Sequence, residues 1–134
     1  MDVSYVEDFW SAANYLFNMH GLAAGGDLTC FKKGIKPEWE DDQNRMGGCW
    51  LYQMSHQQHT KIEDLWQETL MGLIGDNFCD QELAEQLDTK HDEHKDRHIC
   101  EFISGTILMH RGKNEKISLW TKDYKDDHTT RLIG

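Results

Sequence analysis

Residues 99–111 constrain the fold more than any other segment of the sequence. Side chains in a β-strand alternate between two faces, and both alternating sets of this segment are largely apolar. That pattern predicts a central strand covered on both faces. A turn at residues 112–115 and a returning strand at residues 116–121 would complete an antiparallel hairpin. The two sets are Ile99, Glu101, Ile103, Gly105, Ile107 and Met109, and Cys100, Phe102, Ser104, Thr106, Leu108 and His110.

Two other segments predict helices that each bury one apolar face. The first opens with the capping-box pair Ser4 and Glu7, and the second opens with Thr60 and Glu63 and ends at Gly75. Apolar residues recur at helical spacing in both segments. The apolar sets are Val6, Phe9, Trp10, Ala13, Leu16 and Phe17, and Ile62, Leu65, Trp66, Leu70, Leu73 and Ile74.

The order of these segments indicates an α+β fold. Further strands are predicted at residues 28–33 and 49–54, and a short helix at residues 80–87. Helices and strands interleave without βαβ regularity, which favours an antiparallel sheet with helices stacked on one face. A chain of 134 residues is long enough for one domain, spanning 1–134, but not for two.

Composition limits the classes of partner and compartment. A net charge of -10 excludes a general nucleic-acid binder, so any such contact must use a local basic patch. The four cysteines are scattered without a CxxC pair, which predicts reduced thiols in a cytosolic protein. The sequence has neither a signal-peptide core nor an apolar run of membrane-spanning length, so we expect a cytoplasmic protein without a membrane partner.

A long loop predicted at residues 34–48 carries a tryptophan next to three acidic residues. Pro37 and the Gly47–Gly48 pair disfavour regular structure there and supply flexible backbone. Trp39 beside Glu40 suits a flat cation, because the indole binds its face and the carboxylate accepts hydrogen bonds from its edge. N7-methylguanine has that chemistry. The alternative is that Trp39 anchors the loop and the acidic residues form a solvated turn.

Four blocks in this sequence occur in an order shared with a known family. They are residues 6–10 (VEDFW), residues 33–41 (KGIKPEWED) followed by GG and Trp50, residues 66–75 (WQETLMGLIG) and residues 111–121 (RGKNEKISLWT). Together they resemble the eukaryotic translation initiation factor 4E family, the messenger-RNA cap-binding proteins. The resemblance implies a curved antiparallel sheet with helices on its convex face and the cap site on its concave side.

By this resemblance, three residues contact the methylated base of the cap. Trp39 is one of two aromatic plates that enclose the base, Glu40 binds its N1 and N2 edge, and Trp120 lies near the methyl group. Methylation makes the base a cation, which adds a cation–π attraction that unmethylated guanine lacks. The alternative for Trp120 is a core aromatic residue at the end of a strand.

The resemblance also implies a phosphate site at the predicted hairpin. Arg111, Lys113 and Lys116 would hold the cap's triphosphate, and the two-residue spacing of Arg111 and Lys113 predicts that both point to one face. An ordinary solvated hairpin tip is the alternative. Cys49 stands where relatives often carry arginine, so one charge on the phosphate side is absent.

A second surface implied by the resemblance lies on the helices. Val6, Trp10, Glu68 and Gly75 match the dorsal patch that docks a helical motif of the scaffold factor 4G or of repressor proteins. An exposed tryptophan near a carboxylate is a suitable anchor for a partner helix. Gln67 replaces an apolar residue usual in relatives, so partner preference is expected to differ. The alternative is that Trp10 belongs to the core.

One feature of the family has no counterpart in this sequence. The family's other sandwich tryptophan lies upstream of the VEDFW block, and none of the five tryptophans present occupies that position. Strands are also lacking before this block and after residue 134. The resemblance therefore implies a partial domain that binds the cap weakly, unless another segment supplies the second plate.

Two further functions stay open at this stage. A divergent relative with weak cap affinity would act as a translational repressor. A metal-dependent enzyme would instead use the charged run at residues 88–98, where histidine spacing suits ligands on one helical face. That run is almost devoid of apolar residues and is typical of a solvated surface, so we expect no metal, no cofactor and no enzymatic activity. Its candidate ligands are His91, Asp92, Glu93, His94 and His98.

Overall fold

The computed structural model describes residues 2–16, 22–23, 25–55, 59–75 and 102–122. The short helix predicted at residues 80–87 and the charged run at 88–98 lie outside these residues. No helix of the described segments has the length and apolar character of a membrane span. The elements, in chain order, are α1 Val6–Leu16, β1 Asp27–Phe31, β2 Cys49–Ser55, α2 His59–Gly75, β3 Ile103–His110 and β4 Asn114–Thr121.

The four strands form one antiparallel sheet in the order β1-β3-β4-β2. β3 lies inside the sheet, and its residues from Ile103 to Leu108 are all buried. β4 returns beside it, with Leu108 opposite Ile117 in the register. The predicted central strand and hairpin are confirmed over the described residues, but β3 ends at His110 and β4 begins at Asn114, two residues before the predicted start, while residues 99–101 lie outside the described part.

Both helices contribute to a single core on one face of the sheet. The side chains of Ile62, Trp66 and Leu70 along α2 are completely buried. Phe9 of α1 joins them, and Met54, Leu108 and Ile117 provide the sheet side of the same cluster. The predicted α+β class with helices on one face is confirmed, since alternate residues of each strand meet the apolar stripes of the helices.

The first helix differs from the prediction in the residue that caps its start and in which of its apolar side chains are buried. Asp8, rather than Glu7, reaches back, and its Oδ2 accepts the backbone N–H groups of Ser4 at 3.4 Å and Tyr5 at 3.2 Å. The predicted capping box was therefore wrong by one residue. The broad apolar face was also wrong, because Phe9 is buried whereas Trp10 is 52% exposed.

The buried stripe of α2 generates a stability prediction. Leu70→Ala should lower the free energy of unfolding by about 2–5 kcal/mol, because it removes a fully buried side chain and leaves a cavity. Met71→Ala is the matched control, since Met71 is 46% exposed on the same helix and should change stability by less than about 0.5 kcal/mol. Urea unfolding followed by circular dichroism measures both, and equal losses would contradict the assigned core.

Candidate functional site

The sheet face turned away from the helices brings together three of the residues predicted to bind the cap, Trp39, Lys116 and Trp120. Ile117 of β4 belongs to the core beneath the helices, so its alternating neighbours Lys116, Ser118 and Trp120 point to the opposite face. Lys116 and Trp120 are four residues apart, which corresponds to about 13 Å along an extended strand. A ligand that touches both must be elongated, with its anionic part towards Lys116.

Two indole rings stack at one end of this face. The ring centroids of Trp39 and Trp120 are 3.9 Å apart and their planes differ by 17°. Trp120 is only 7% exposed, whereas Trp39 remains 44% exposed on its loop. One face of Trp39 therefore lies against the sheet while the rest meets solvent, so the residue anchors the loop and also offers an accessible aromatic surface.

Trp120 is held in place by neighbours that the sequence interpretation missed. Its Nε1 donates to Ser118 Oγ at 3.1 Å. Phe31 meets it edge-on, with ring centroids 5.6 Å apart and an interplanar angle of 78°. Gly105 lies between them in the register, and a Cβ there would come 2.5 Å from Cγ of Phe31. A glycine within an otherwise buried strand is the sequence signal of such a close approach.

The backbone around Trp39 is tied down by two side chains of the same loop. Asn44 is completely buried, and its Nδ2 donates to the carbonyl oxygens of Lys36 at 2.7 Å and Glu38 at 2.9 Å. Asp41 accepts the backbone N–H of Lys36 at 3.0 Å through Oδ2. It also accepts that of Gln43 at 2.9 Å through Oδ1. These bonds lower the pKa of Asp41, so this carboxylate organises the loop.

The two glycines at the end of the loop allow close packing against β4. Gly48 N–H donates to Thr121 Oγ1 at 3.2 Å, and Thr121 N–H donates to the Gly48 carbonyl at 2.9 Å. A Cβ at Gly47 would overlap the carbonyl oxygen of Thr121. The absence of a side chain at Gly47 therefore lets the loop dock at the strand end that carries Trp120.

Glu40 follows the stacked tryptophan and is exposed. Within the described residues, its carboxylate has no hydrogen-bonding or ion-pair partner, although its backbone carbonyl accepts from Arg45 at 3.4 Å. Arg45 instead pairs with Asp42 at 2.8 Å. Glu38 and Glu40, on either side of Trp39, are both exposed and neither carboxylate has a hydrogen-bonding or ion-pair partner among the described residues, so both remain available to a ligand.

The basic residues at the hairpin occupy three different settings. Arg111 makes a two-pronged pair with Asp27, with Nη1–Oδ1 and Nη2–Oδ2 distances of 2.6 Å and 3.2 Å. This pair raises the pKa of Arg111. Lys113 is exposed and Lys116 is half-buried. Asp27 was missed by the sequence interpretation, because 84 residues separate it from Arg111 and only the sheet brings them together.

The spacing argument for Arg111 and Lys113 was wrong. β3 ends at His110, and Gly112 adopts a φ of 70° in the turn that follows. Lys113 N–H donates to the Arg111 carbonyl at 2.7 Å, so these residues form a tight turn. The two-residue alternation of a strand therefore does not apply between them. Lys116 alone of the three basic residues is placed on the site face by strand geometry.

Cys49 lies beside the aromatic stack on the neighbouring strand. Its Cα is paired with that of Trp120 in the register of β2 and β4. Cys30 and Cys49, the cysteines within the described residues, are both free. Burial raises the pKa of both thiols, so Cys49 stays neutral at pH 7 and adds no charge to the site.

The predicted partner-binding residues lie on the two helices, away from the aromatic stack. Val6 is 66% exposed and Trp10 is 52% exposed on α1. Glu68 and Gly75 are exposed on α2. Ile74, which was predicted to lie on the buried apolar face of α2, is 52% exposed. It therefore adds an exposed apolar side chain to the helix surface. The alternative reading of Trp10 as a core residue is wrong.

The described residues contain no group of three or more potential metal ligands. The histidine run proposed as an alternative lies outside those residues, so its metal-binding hypothesis stays a prediction.

The buried amide of the loop generates a second prediction. Asn44→Ala should lower the free energy of unfolding by about 1–3 kcal/mol, because it leaves two loop carbonyls without their donor. The emission of Trp39 should change with it, as the loop that positions the indole loosens. Gln43→Ala is the matched control at an exposed neighbouring side chain. Thermal unfolding and tryptophan fluorescence measure both variants, and indistinguishable behaviour would refute the role of Asn44.

The chain is similar in sequence to a known group of proteins. It matches the model of the family described as eukaryotic initiation factor 4E over residues 1–134. It is 38% identical over 130 residues to a eukaryotic translation initiation factor 4E of Aplysia californica, covering 96% of this chain and 52% of that protein.

Solved structures agree with this match. Ascaris suum eIF4E-3 in complex with an m7G cap superposes with a TM-score of 0.79 at 36% identity, covering 98% of this chain and 64% of that one. C. elegans eIF4E-3 with the 4E-binding protein Mextli and a cap analog gives 0.72 at 36% identity, covering 96% and 62%. The chain spans about half the length of the curated relatives it matches. Because the family model matches its whole length, the chain belongs to the eukaryotic initiation factor 4E family.

Proposed function

We propose that this chain is a non-enzymatic module that binds the N7-methylguanosine cap of messenger RNA and recruits it to the translation initiation machinery. The observation that carries the proposal is the shared sheet face, with an accessible Trp39 on Trp120 at one end and Lys116 towards the other. An elongated ligand with a flat base and an anionic tail fits this polarity. The cytoplasm is the compartment that this role implies.

Base recognition would rest on Trp39 and Glu40. Stacking of a base on an aromatic side chain contributes roughly 1–3 kcal/mol. The positive charge of a methylated base adds about 0.5–2 kcal/mol over an indole, and unmethylated guanine lacks this gain. The available carboxylate of Glu40 would accept the N1–H and N2–H donors of the base. Methylation would therefore be recognised through charge rather than shape.

Triphosphate binding would rest on Arg111, Lys113 and Lys116. A chain with a net charge of -10 repels RNA at long range, so attraction must come from cations close to the phosphates. Asp27 accepts from Nη1 and Nη2 of Arg111, and Nη1 also donates to the His110 carbonyl at 3.4 Å, which leaves Nε and the second Nη2 N–H for a phosphate. The neutral Cys49 adds no charge, which limits the electrostatic share of the affinity.

Partner binding would use the exposed helix surface at Val6, Trp10, Glu68 and Gly75. A solved relative binds the 4E-binding protein Mextli. For this chain we propose a helical motif of the scaffold factor 4G or of a repressor, with Trp10 as its aromatic anchor. Because these residues lie on the helices and the cap site on the opposite sheet face, cap and partner would bind together.

Retention on immobilised ligand tests the central proposal. The purified chain should be retained on 7-methylguanosine triphosphate resin and released by the free methylated nucleotide, while guanosine triphosphate resin should retain little. Equal retention on both resins would exclude recognition through the methyl-derived charge. Partner binding without cap retention would favour a divergent repressor, and metal-dependent turnover would favour the enzyme hypothesis.

A comparison of two variants tests the assigned roles of the base and phosphate contacts. At high salt, Glu40→Ala should weaken binding of 7-methylguanosine triphosphate more than Lys113→Ala, because salt screens the exposed phosphate contact more than hydrogen bonds in the base pocket. Isothermal titration at two ionic strengths measures the difference. The opposite order at high salt would contradict these roles.

A separate variant tests the partner surface. Trp10→Ala should weaken binding of a helical peptide from a 4E-binding protein by about 2 kcal/mol or more, because Trp10 is a large exposed anchor. Trp50→Ala is the matched control, since Trp50 is 46% exposed on β2 rather than on a helix. Fluorescence anisotropy of a labelled peptide measures both. Loss of cap affinity in Trp10→Ala would instead indicate a fold defect.

A further inference from the structure

The two edges of the sheet differ in charge. Within the described residues, β1 and β2 are the edge strands, because each pairs with a single neighbour. β1 begins with Asp27, which is held by Arg111, and Lys32 and Lys33 follow its last residue. Charged side chains along an edge discourage pairing with a further strand. β2 has seven residues, and none of them is charged.

β2 also exposes apolar side chains on both faces of the sheet. Trp50, Leu51 and Tyr52 are 46%, 55% and 53% exposed. Met54 packs in the core beneath the helices, so Trp50 and Tyr52 lie on the helix side and Leu51 lies on the site face. No Asp, Glu, Lys or Arg occurs from residue 46 to residue 60. An uncharged edge with exposed apolar side chains is a surface to which another strand can be added.

The backbone of β2 directs one row of hydrogen-bonding groups away from the sheet. Thr121 N–H donates to the Gly48 carbonyl at 2.9 Å, so these two residues form a hydrogen-bonded pair. In an antiparallel ladder such pairs recur at every second residue. The backbone groups of Trp50, Tyr52 and Met54 therefore point to β4, and those of the alternate residues point outward. The outward set is Cys49, Leu51, Gln53 and Ser55.

We infer that β2 pairs antiparallel with β2 of a second copy of this chain, in a symmetric dimer whose two-fold axis passes between the two copies of Tyr52. This register uses the whole strand. The outward residues lie symmetrically about Tyr52, so every outward group meets an outward group of the second copy. A shift of one residue would set outward groups against inward ones and abolish the ladder. The pairs are Cys49 with Ser55, Trp50 with Met54, Leu51 with Gln53 and Tyr52 with Tyr52.

The residues of β2 suit a second copy of the same strand. The two copies of Tyr52 would face each other in a non-hydrogen-bonded pair, where side chains approach closely and aromatic pairs are favourable. Trp50 would lie opposite Met54 on the same face, which allows a sulfur–aromatic contact. A charged foreign strand would find no opposite charge on β2. Self-complementary contacts of this kind are those of a two-fold symmetric dimer.

The small size of the interface sets the expected affinity. A strand of seven residues is about 24 Å long. A large aromatic side chain buries about 150–250 Å², and Trp50 and Tyr52 are already half covered. The buried area is therefore well below the roughly 800 Å² per partner of a standard interface. We expect a weak, reversible dimer with a dissociation constant of about 10–100 μM.

This pairing would join the two sheets into one. Trp120 is paired with Cys49, which lies three residues from the two-fold axis. With about 3.4 Å per residue and about 4.8 Å between strands, the two copies of Trp120 would lie about 25 Å apart on the same sheet face. The dimer would present two candidate cap sites on one side, although its formation does not depend on the proposed function.

Sedimentation velocity between about 1 and 300 μM tests the dimer. The chain should change from monomer to dimer over this range. The change should occur at lower concentration in high salt, because salt screens the repulsion between two copies that each carry a net charge of -10. A monomer at every concentration would overturn the inference. Weaker association in high salt would also overturn it, since that result indicates a charge-driven interface.

Two substitutions at one position test the outer edge of β2. Gln53→Pro should give a monomer throughout, because it removes an outward N–H and leaves the ladder with β4 intact. Gln53→Ala is the matched control, since it retains this N–H and should dimerise like the unchanged chain. Circular dichroism checks that both variants are folded. A folded Gln53→Pro variant that still dimerises would place the interface elsewhere.

An engineered disulfide tests the register without a proline. Tyr52→Cys places a thiol at the two-fold axis, where paired Cα atoms are about 4.5 Å apart and within reach of a disulfide. Gln53→Cys is the matched control, because its two copies would be about 8 Å apart, beyond the limit of about 7 Å. Mild oxidation should give a covalent dimer with Tyr52→Cys and little with Gln53→Cys, as measured by non-reducing gel electrophoresis. Equal yields, or no covalent dimer of folded Tyr52→Cys, would overturn this pairing.

Discussion

The contact between Trp120 and the loop that carries Trp39 is the interaction on which the site depends. Trp120 points away from the helical core, and its ring would be exposed at the end of β4 if the loop did not cover it. The loop docks at Thr121, where Gly47 permits contact with the strand backbone. The stack thus closes the apolar surface of the sheet and at the same time positions an accessible indole.

Electrostatics acts locally in this acidic chain. Acidic residues surround the candidate site, but they have separate uses. Asp41 organises the loop backbone, Asp27 holds Arg111, and Glu40 keeps its carboxylate available. This division explains how a molecule with a net charge of -10 can present a short basic segment to an anionic ligand. Such attraction works within about one Debye length, roughly 8–10 Å at ordinary salt.

Much of the fold was predictable because its signals are local. The doubly apolar alternation of β3 identified a buried strand, and the following glycine and polar residues identified the hairpin. The loop position of Trp39 followed from Pro37 and the Gly47–Gly48 pair. Errors arose where a local pattern fits two structures. At the start of α1, Asp8 rather than the neighbouring Glu7 accepts the backbone N–H of Ser4. Along α1, the apolar residues divide between a buried Phe9 and an exposed Trp10.

By itself, the sequence determined the alternation of the strands, the family blocks and the residue types available for a base and a phosphate. Only the tertiary structure decided that Phe31 and Trp120 meet across Gly105, and that Asp27 pairs with Arg111. The reason is that strand register joins residues far apart in the chain. A shift of one residue would turn each of these side chains to the other face of the sheet, and no local pattern encodes which partner lies opposite.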